Sequence, residues 1–307
     1  MKNIFIILGV LFSFSAFAQS FEVKEIQVSE QLIGDLYDSP NNETVILLIA
    51  GSGPTDRNGN SLGMAANNSL KFLAEGLAEN NYDVFTYDKQ VVYLLKNQKE
   101  LPTLDFQYGI DDAQTIVNYL KNDLKYKNII IAGHSEGSLI GMYVAQKNVD
   151  AFISLAGSGS PIDEILREQI NKQAPMLNEA NDKILTELKA GNIVKDVHPM
   201  LKALYMEHNQ PYLIDWMQRN PQTEIAKLSI PILIINGSKD LQVEPKEAEL
   251  LHKANPNSTV VIIENMNHIF KEIKKDEENL ASYNNPNLPV QKDLITTIVS
   301  FLKEIKQ

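Results

Sequence analysis

A serine flanked by two glycines is the feature of the sequence best suited to covalent chemistry. Ser135 lies at the centre of a Gly-x-Ser-x-Gly pattern, residues 133–137, directly after a β-branched run. This order is typical of a strand that turns sharply into a helix and exposes the serine hydroxyl at the turn. Gly133 and Gly137 leave room where a Cβ atom would crowd the turn. Ser135 is therefore the candidate nucleophile, and the backbone N–H of Glu136, free at the start of the helix, is a candidate oxyanion donor.

A serine hydroxyl is a weak nucleophile near neutral pH, so it needs an imidazole base that is itself oriented by a carboxylate. Asp240 follows a predicted strand in the last third of the chain, and His268 follows the next one. The other histidines do not follow core strands there, and His134 is expected to face away along the turn. We predict a triad of Ser135, His268 and Asp240, with Asp163 from a neighbouring loop as the alternative carboxylate.

A glycine-rich loop, residues 51–60, follows an earlier buried strand. It contains too many glycine and polar residues to be a helix. If the strand ends meet at one edge, this loop provides the second oxyanion donor, and we predict the backbone N–H of Ser52 or Gly53. Pro54 is excluded because it has no N–H group.

Positioning these loops requires a sheet whose strands end on the same side. Apolar runs that predict buried strands alternate with stretches that predict helices, so we expect an α/β fold. Its central sheet is mainly parallel, with helices on both faces and an antiparallel hairpin at one edge. Active sites in such sheets lie at the carboxyl ends of the strands. The predicted hairpin spans residues 21–37, and the predicted strands after it are 44–50, 83–87, 128–132, 151–156, 230–235 and 259–263.

The alternation stops in a polar, helix-prone stretch that contains scattered methionine and aromatic residues. It is much too long for an ordinary connection between a helix and a strand. We predict a helical cap insertion at residues 158–228, placed over the site. Residues 19–157 and 229–307 then form the α/β core.

The first 18 residues predict export. They have a short basic start, an apolar run and an Ala16-Phe17-Ala18 ending, which is typical of a secretory signal peptide cleaved after Ala18. We therefore expect a periplasmic or secreted protein whose mature chain has no membrane span. The alternative is an uncleaved membrane anchor, which is disfavoured because Ser13 and Ser15 interrupt the apolar run and leave it too short to cross a bilayer. The 307-residue chain contains no cysteine, which excludes disulfides and a thiol nucleophile. Its net charge of −11, without a basic cluster, argues against nucleic acid and anionic membranes as partners.

Several of these segments together resemble the α/β-hydrolase superfamily: residues 133–137, residues 51–57, Asp240 and Asn267-His268-Ile269-Phe270. Within it they resemble bacterial carboxylesterases of the EstD type and serine aminopeptidase-like hydrolases. The order Ser, Asp, His along the chain is also that of the superfamily. The resemblance covers nearly all of the mature chain and implies a helical cap, hydrolysis of short acyl esters, and neither cofactor nor metal.

One segment departs from this family. Asp88-Lys89-Gln90-Val91 stands where Asp-Lys-Arg-Gly is usual. The departure affects the shape of the loop beside the site, so it bears on the substrate more than on the mechanism.

The sequence thus predicts a serine hydrolase that cleaves small acyl esters through an acyl-enzyme intermediate. The expected partner is a small-molecule ester. A peptidase or a thioesterase on the same triad stays open, because the insertion shapes the leaving-group pocket. A non-catalytic ligand-binding protein on the same scaffold is the alternative from another class, since fold does not fix function.

Overall fold

A computed structural model of the protein describes residues 21–40 and 42–305, and the predicted signal peptide at residues 1–18 lies outside them. The described part contains one eight-stranded sheet. Its strands are β1 (Glu22–Gln27), β2 (Ile33–Asp38), β3 (Thr44–Ile49), β4 (Asp83–Tyr87), β5 (Asn128–His134), β6 (Ala151–Leu155), β7 (Ile232–Gly237) and β8 (Thr259–Ile263).

Helices connect most of these strands. Before β7 they are α1 (Ser69–Ala78), α2 (Gln90–Lys96), α3 (Phe106–Asn122), α4 (Glu136–Val144), α5 (Ile162–Gln173), α6 (Asn178–Lys189), α7 (Gln210–Met217) and α8 (Pro221–Ile225). After β7 they are α9 (Pro245–Ala254), α10 (Asn279–Ser282) and α11 (Lys292–Glu304). None of the helices in the described ranges is long and apolar enough to cross a membrane.

The sheet is mainly parallel, as the alternation of strands and helices predicts. The strand order is β1-β2-β4-β3-β5-β6-β7-β8. β1 pairs antiparallel with β2, and β2 pairs antiparallel with β4, whereas the five other pairings are parallel. The expected edge hairpin and the expected α/β class are both confirmed. The parallel strands place the loops after β3, β4, β5, β7 and β8 along one edge.

Both faces of the sheet are covered, so the central strands are apolar throughout. Every residue of β3 is buried. Because side chains alternate along a strand, Ile46 and Leu48 pack into the cluster that includes α1 and α11. Val45 and Leu47 pack into the opposite cluster, with α3, α4 and α9. This two-sided burial explains why the strands read as continuous apolar runs.

The connection from β6 to β7, which we call the helical insertion (residues 158–228), contains α5 to α8 and no strand. It has a hydrophobic cluster of its own, separate from the two clusters on the sheet. At its centre the Tyr205 side chain is fully buried and its hydroxyl donates to Asn181 Oδ1 at 2.6 Å. The members of the cluster are Leu166, Leu177, Ile184, Leu185, Leu188, Val197, Leu201, Tyr205, Leu213 and Met217.

Element boundaries near the site differ from the sequence prediction by a few residues; β7, for example, ends at Gly237 rather than at residue 235. β5 continues to His134 because residues 133 and 134 still pair with β6. α3 begins at Phe106, since the side chain of Asp105 caps it by accepting from the backbone N–H of Tyr108 at 3.1 Å. The seven-residue helix α2 was not predicted, because about two turns of mostly apolar residues show little periodicity.

Candidate active site

The turn from β5 into α4 holds Ser135 in a strained conformation. Its φ and ψ angles are 54° and −119°, in a region that residues with a side chain rarely adopt. The two flanking glycines make this turn possible. A Cβ atom on Gly133 would lie 2.1 Å from the carbonyl oxygen of Gly137, and one on Gly137 would lie 2.4 Å from the carbonyl oxygen of Ile49. The expected strand, turn and helix around Ser135 are therefore present.

The loops after β7 and β8 bring Asp240 and His268 together. His268 Nδ1 donates to Asp240 Oδ2 at 2.8 Å, and both residues are buried. The other carboxylate oxygen, Oδ1, accepts from the backbone N–H groups of Gln242 at 2.8 Å and Val243 at 2.9 Å. Because a carboxylate can only accept, His268 carries its proton on Nδ1 when it is neutral, and Nε2 is left to accept one.

Close backbone packing fixes these two loops against each other. A Cβ atom on Gly237 would lie 2.0 Å from the carbonyl oxygen of Met266. That oxygen accepts from the backbone N–H of Lys239 at 2.9 Å. The alternative carboxylate, Asp163, lies in the first turn of α5 and accepts from Lys189 Nζ at 2.6 Å instead. Asp240, not Asp163, is thus the carboxylate beside His268.

His134 links the serine turn to the His268 loop. Its Nε2 donates to the backbone carbonyl oxygen of His268 at 2.9 Å, and the two ring centroids lie 4.8 Å apart. Burial, together with His268, lowers the pKa of His134 to about 3, so its ring is neutral at ordinary pH. His134 was expected to face away along the turn, whereas the structure places its ring against the His268 loop.

No hydrogen bond joins the Ser135 hydroxyl to His268 in the described part of the chain. Such bonds are often long before substrate binds.

A cavity of about 440 Å³ opens above Ser135. The predicted oxyanion residues Glu136, Ser52 and Gly53 line it with Ser135, whereas His268 and Asp240 are not among its lining residues. Much of the remaining wall is apolar and comes from the helical insertion. That part includes Ile162, Ile165, Leu166, Leu204, Leu213 and Trp216.

The loop after β3 packs directly on the serine turn. A Cβ atom on Gly51 would lie 3.3 Å from the Cβ atom of Ser135. Farther along the loop, Thr55 binds two carbonyl oxygens: its N–H donates to Gly53, and its hydroxyl donates to Ser52, both at 2.9 Å. Since these carbonyl oxygens are held by Thr55, the loop has a defined shape beside Ser135.

Two charged groups in the cavity were missed by sequence reasoning. Lys89 Nζ lies 2.7 Å from Glu136 Oε1, and the Glu136 side chain is almost fully buried. Asp112 also lines the cavity, and burial raises its pKa to about 7. The sequence marks Lys89 only as part of the segment that departs from the family pattern. Neither residue belongs to a motif for acyl transfer, so nothing in the sequence identified them.

Comparison with known proteins agrees with this architecture. The family model for serine aminopeptidase S33 matches residues 63–274. Esterase EstD of Thermotoga maritima is 26% identical over 262 residues, which cover 82% of this chain but only 60% of the esterase, so the chain spans less than two thirds of that relative's length.

Solved structures share the fold at low sequence identity. The esterase Pf2001 of Pyrococcus furiosus has a TM-score of 0.61 and 16% identity, with 96% of each chain covered. Est1E of Butyrivibrio proteoclasticus has a TM-score of 0.59 and 16% identity, with 92% of this chain and 98% of that chain covered. The family model covers most of the sequence and the fold agrees, so the chain belongs to the serine aminopeptidase S33 family, a family of serine hydrolases with the α/β-hydrolase fold.

Proposed function

We propose that this protein is a serine carboxylesterase that hydrolyses esters of small acyl groups. Ser135 is the nucleophile, His268 is the general base and acid, and Asp240 orients His268. The backbone N–H groups of Glu136 and of Ser52 or Gly53 bind the oxyanion. The helical insertion acts as a cap that supplies much of the acyl pocket.

The reaction proceeds in two halves. Ser135 Oγ attacks the ester carbonyl carbon while His268 Nε2 takes the hydroxyl proton, and the negative charge that forms on the carbonyl oxygen is bound by the backbone donors. His268 then gives its proton to the departing alcohol as the carbon–oxygen bond breaks, which leaves an acyl group on Ser135. Water repeats the sequence, releases the carboxylic acid and restores the serine.

The observation that carries the proposal is the fixed hydrogen bond from His268 Nδ1 to Asp240 Oδ2 at 2.8 Å, next to a strained serine turn. His134, the residue before Ser135, contacts the His268 ring and bonds its carbonyl oxygen. A ligand-binding protein has no need of a base held in one tautomer beside a strained serine. This arrangement therefore favours catalysis over binding alone.

The volume and lining of the cavity support an ester substrate with an apolar acyl group. A volume of about 440 Å³ lined largely by aliphatic and aromatic side chains suits an apolar acyl chain more than a polar one. Relatives of similar sequence or fold are named esterases, which supports the same substrate class.

The proposal is tested by hydrolysis of p-nitrophenyl acetate and butyrate. We expect Ser135→Ala to lower kcat by at least about 10⁴-fold, as loss of a serine nucleophile does in other hydrolases. Ser138→Ala is the matched control, because the Ser138 hydroxyl lies one turn farther along α4 and is hydrogen-bonded to the Ser154 hydroxyl at 2.8 Å. Activity that survives Ser135→Ala would reject the assignment.

The family model is named for an aminopeptidase, so peptide hydrolysis is the second candidate. The same assay with amino-acid p-nitroanilides separates the two. We expect ester turnover to exceed anilide turnover, and a preference for anilides would replace the ester proposal.

We also propose that the protein is exported and that residues 1–18 are removed. The support is the basic, apolar and small-residue order of that segment. N-terminal sequencing of the protein from its native host tests the cleavage after Ala18.

A further inference from the structure

We propose that Lys89 is a positioning residue for the oxyanion hole, because it ties together the two segments that supply the oxyanion donors. The inference rests on the proposed function. In this proposal Lys89 does not touch the reacting atoms. It acts by holding in place the segments that carry the oxyanion donors.

The geometry places one ammonium group between two loops. Lys89 follows β4 and precedes α2, and its Nζ lies 2.7 Å from Glu136 Oε1 and 3.4 Å from the carbonyl oxygen of Gly53. Glu136 directly follows Ser135, and Gly53 lies in the loop after β3. A single side chain thus joins the serine turn to the neighbouring loop, and all four residues line the same cavity.

Burial strengthens the pairing of Lys89 with Glu136. The Glu136 side chain is 1% exposed and that of Lys89 is 13% exposed. A carboxylate buried to this extent needs a partner, and removing one member of a buried pair leaves an uncompensated charge. The pair is therefore expected to keep one geometry while substrate binds and reacts.

The helical insertion borders the same carboxylate. Tyr212 of α7 lines the cavity together with Glu136, and burial, with the nearby Glu136 carboxylate, raises the pKa of Tyr212 well above its ordinary value. The Tyr212 hydroxyl therefore stays neutral, and Lys89 provides the positive charge beside Glu136. Because Lys89 holds the Glu136 side chain, the first residue of α4, whose N–H is a proposed oxyanion donor, has little freedom to move.

The consequence for catalysis is specific to the transition state. An oxyanion donor acts only if it lies about 2.7 to 3.1 Å from the oxygen as charge develops, and a misplacement of about 1 Å costs up to about 10²-fold in rate. Ground-state binding depends much more on the apolar wall of the cavity. Loss of Lys89 should therefore lower kcat and leave KM nearly unchanged.

The experiment compares three variants by p-nitrophenyl butyrate kinetics. We expect Lys89→Met to lower kcat by about 10- to 100-fold with KM within about 3-fold of wild type. Lys89→Arg keeps the charge and the donors, so it should recover most of the loss. Lys96→Met is the matched control, because Lys96 also pairs with a buried carboxylate, Asp88 at 3.1 Å, but makes no hydrogen bond to either donor segment in the described part of the chain; its kcat should equal that of wild type.

A second readout is inhibition by butylboronic acid, which forms a tetrahedral adduct on a catalytic serine. We expect Lys89→Met to weaken this inhibitor by about the same factor as kcat, while inhibition by 1-butanol, which is uncharged and has no carbonyl oxygen, stays unchanged, since only the adduct places a negatively charged oxygen in the hole. If Lys89→Met does not fold, Glu136→Gln is measured instead. It keeps the side-chain length but weakens the ion pair, and we expect the same selective loss, of about 3- to 10-fold.

The outcomes separate the two proposals. A wild-type enzyme without ester hydrolysis or boronate inhibition overturns the proposed function and this inference together. An active wild type whose Lys89→Met variant keeps its kcat, or loses affinity only through KM, overturns the inference alone. A Lys89→Arg variant as impaired as Lys89→Met does the same.

Discussion

Asp240→Asn is the perturbation that tests most sharply how the carboxylate acts on His268. In the native protein Asp240 Oδ1 accepts from two backbone N–H groups, those of Gln242 and Val243, and Oδ2 accepts from His268 Nδ1. An asparagine has one acceptor oxygen, and we expect the two backbone N–H groups to donate to it. Its NH₂ group must then face His268 Nδ1.

This forced orientation reverses the tautomer of the imidazole. Nδ1 must accept from the new amide, so the ring proton moves to Nε2, where the proton of Ser135 would have to be received. The base is disabled although its position is unchanged. A carboxylate-to-amide change of this kind costs about 10⁴-fold in kcat, or ~5 kcal/mol of transition-state stabilisation.

Stability provides the second half of the test. Asp240→Asn keeps the two backbone hydrogen bonds, so we expect its melting temperature to stay close to that of wild type. Asp240→Ala leaves two buried N–H groups unpaired and should lower the free energy of unfolding by ~1 to 3 kcal/mol. The assays are p-nitrophenyl butyrate hydrolysis and thermal unfolding, with Asp163→Asn as the control carboxylate. A kcat for Asp240→Asn within 10-fold of wild type would refute the tautomer argument.

Two further predictions concern stability. Gly137→Ala places a Cβ atom 2.4 Å from the Ile49 carbonyl oxygen and should lower the free energy of unfolding in urea by ~3 kcal/mol or more. Gly109→Ala in α3 is the control: its Cβ would meet the flexible end of the Ile140 side chain in α4 at 2.9 Å, so it should change the free energy of unfolding by less than ~1 kcal/mol. Burial raises the pKa of Asp112 from 3.8 in the unfolded chain to about 7 in the folded one, so the folded state favours the neutral carboxyl group. The stability that the neutral group contributes is therefore lost as the pH rises from 4 to above 7. Asp112→Asn should therefore be more stable than wild type at pH 8.5 by ~2 kcal/mol, after allowance for solvent screening, and nearly equal to it at pH 4.5; equal stabilities at both pH values in urea titrations would contradict this.

The fold could be predicted from the sequence because its pattern is local. Strands buried on both faces must be continuous apolar runs, and helices that cover them must be amphipathic, so the order of elements reveals a parallel sheet. The glycine spacing around Ser135 was informative for the same reason, since each glycine meets a backbone carbonyl within its own turn or the adjacent strand.

Contacts between distant loops could not be predicted in this way. Which carboxylate meets His268 depends on how the loop after β7 packs on Met266, so the spacing favoured Asp240 but did not exclude Asp163. The same holds for His134, whose partner is 134 positions away, and for Lys89, whose partner is 47 positions away. Such pairs depend on the register of neighbouring strands, which local periodicity does not give.

The central claim is that Ser135 is activated by His268, and labelling with a fluorophosphonate tests it most directly. The probe forms a phosphorus–oxygen bond to an activated serine and releases fluoride, and peptide mass spectrometry locates the adduct. The account predicts one adduct, on the peptide that contains Ser135, formed rapidly by the wild-type protein and very slowly by His268→Ala. An adduct on another residue, or equal labelling of Ser135 in both proteins, would contradict it.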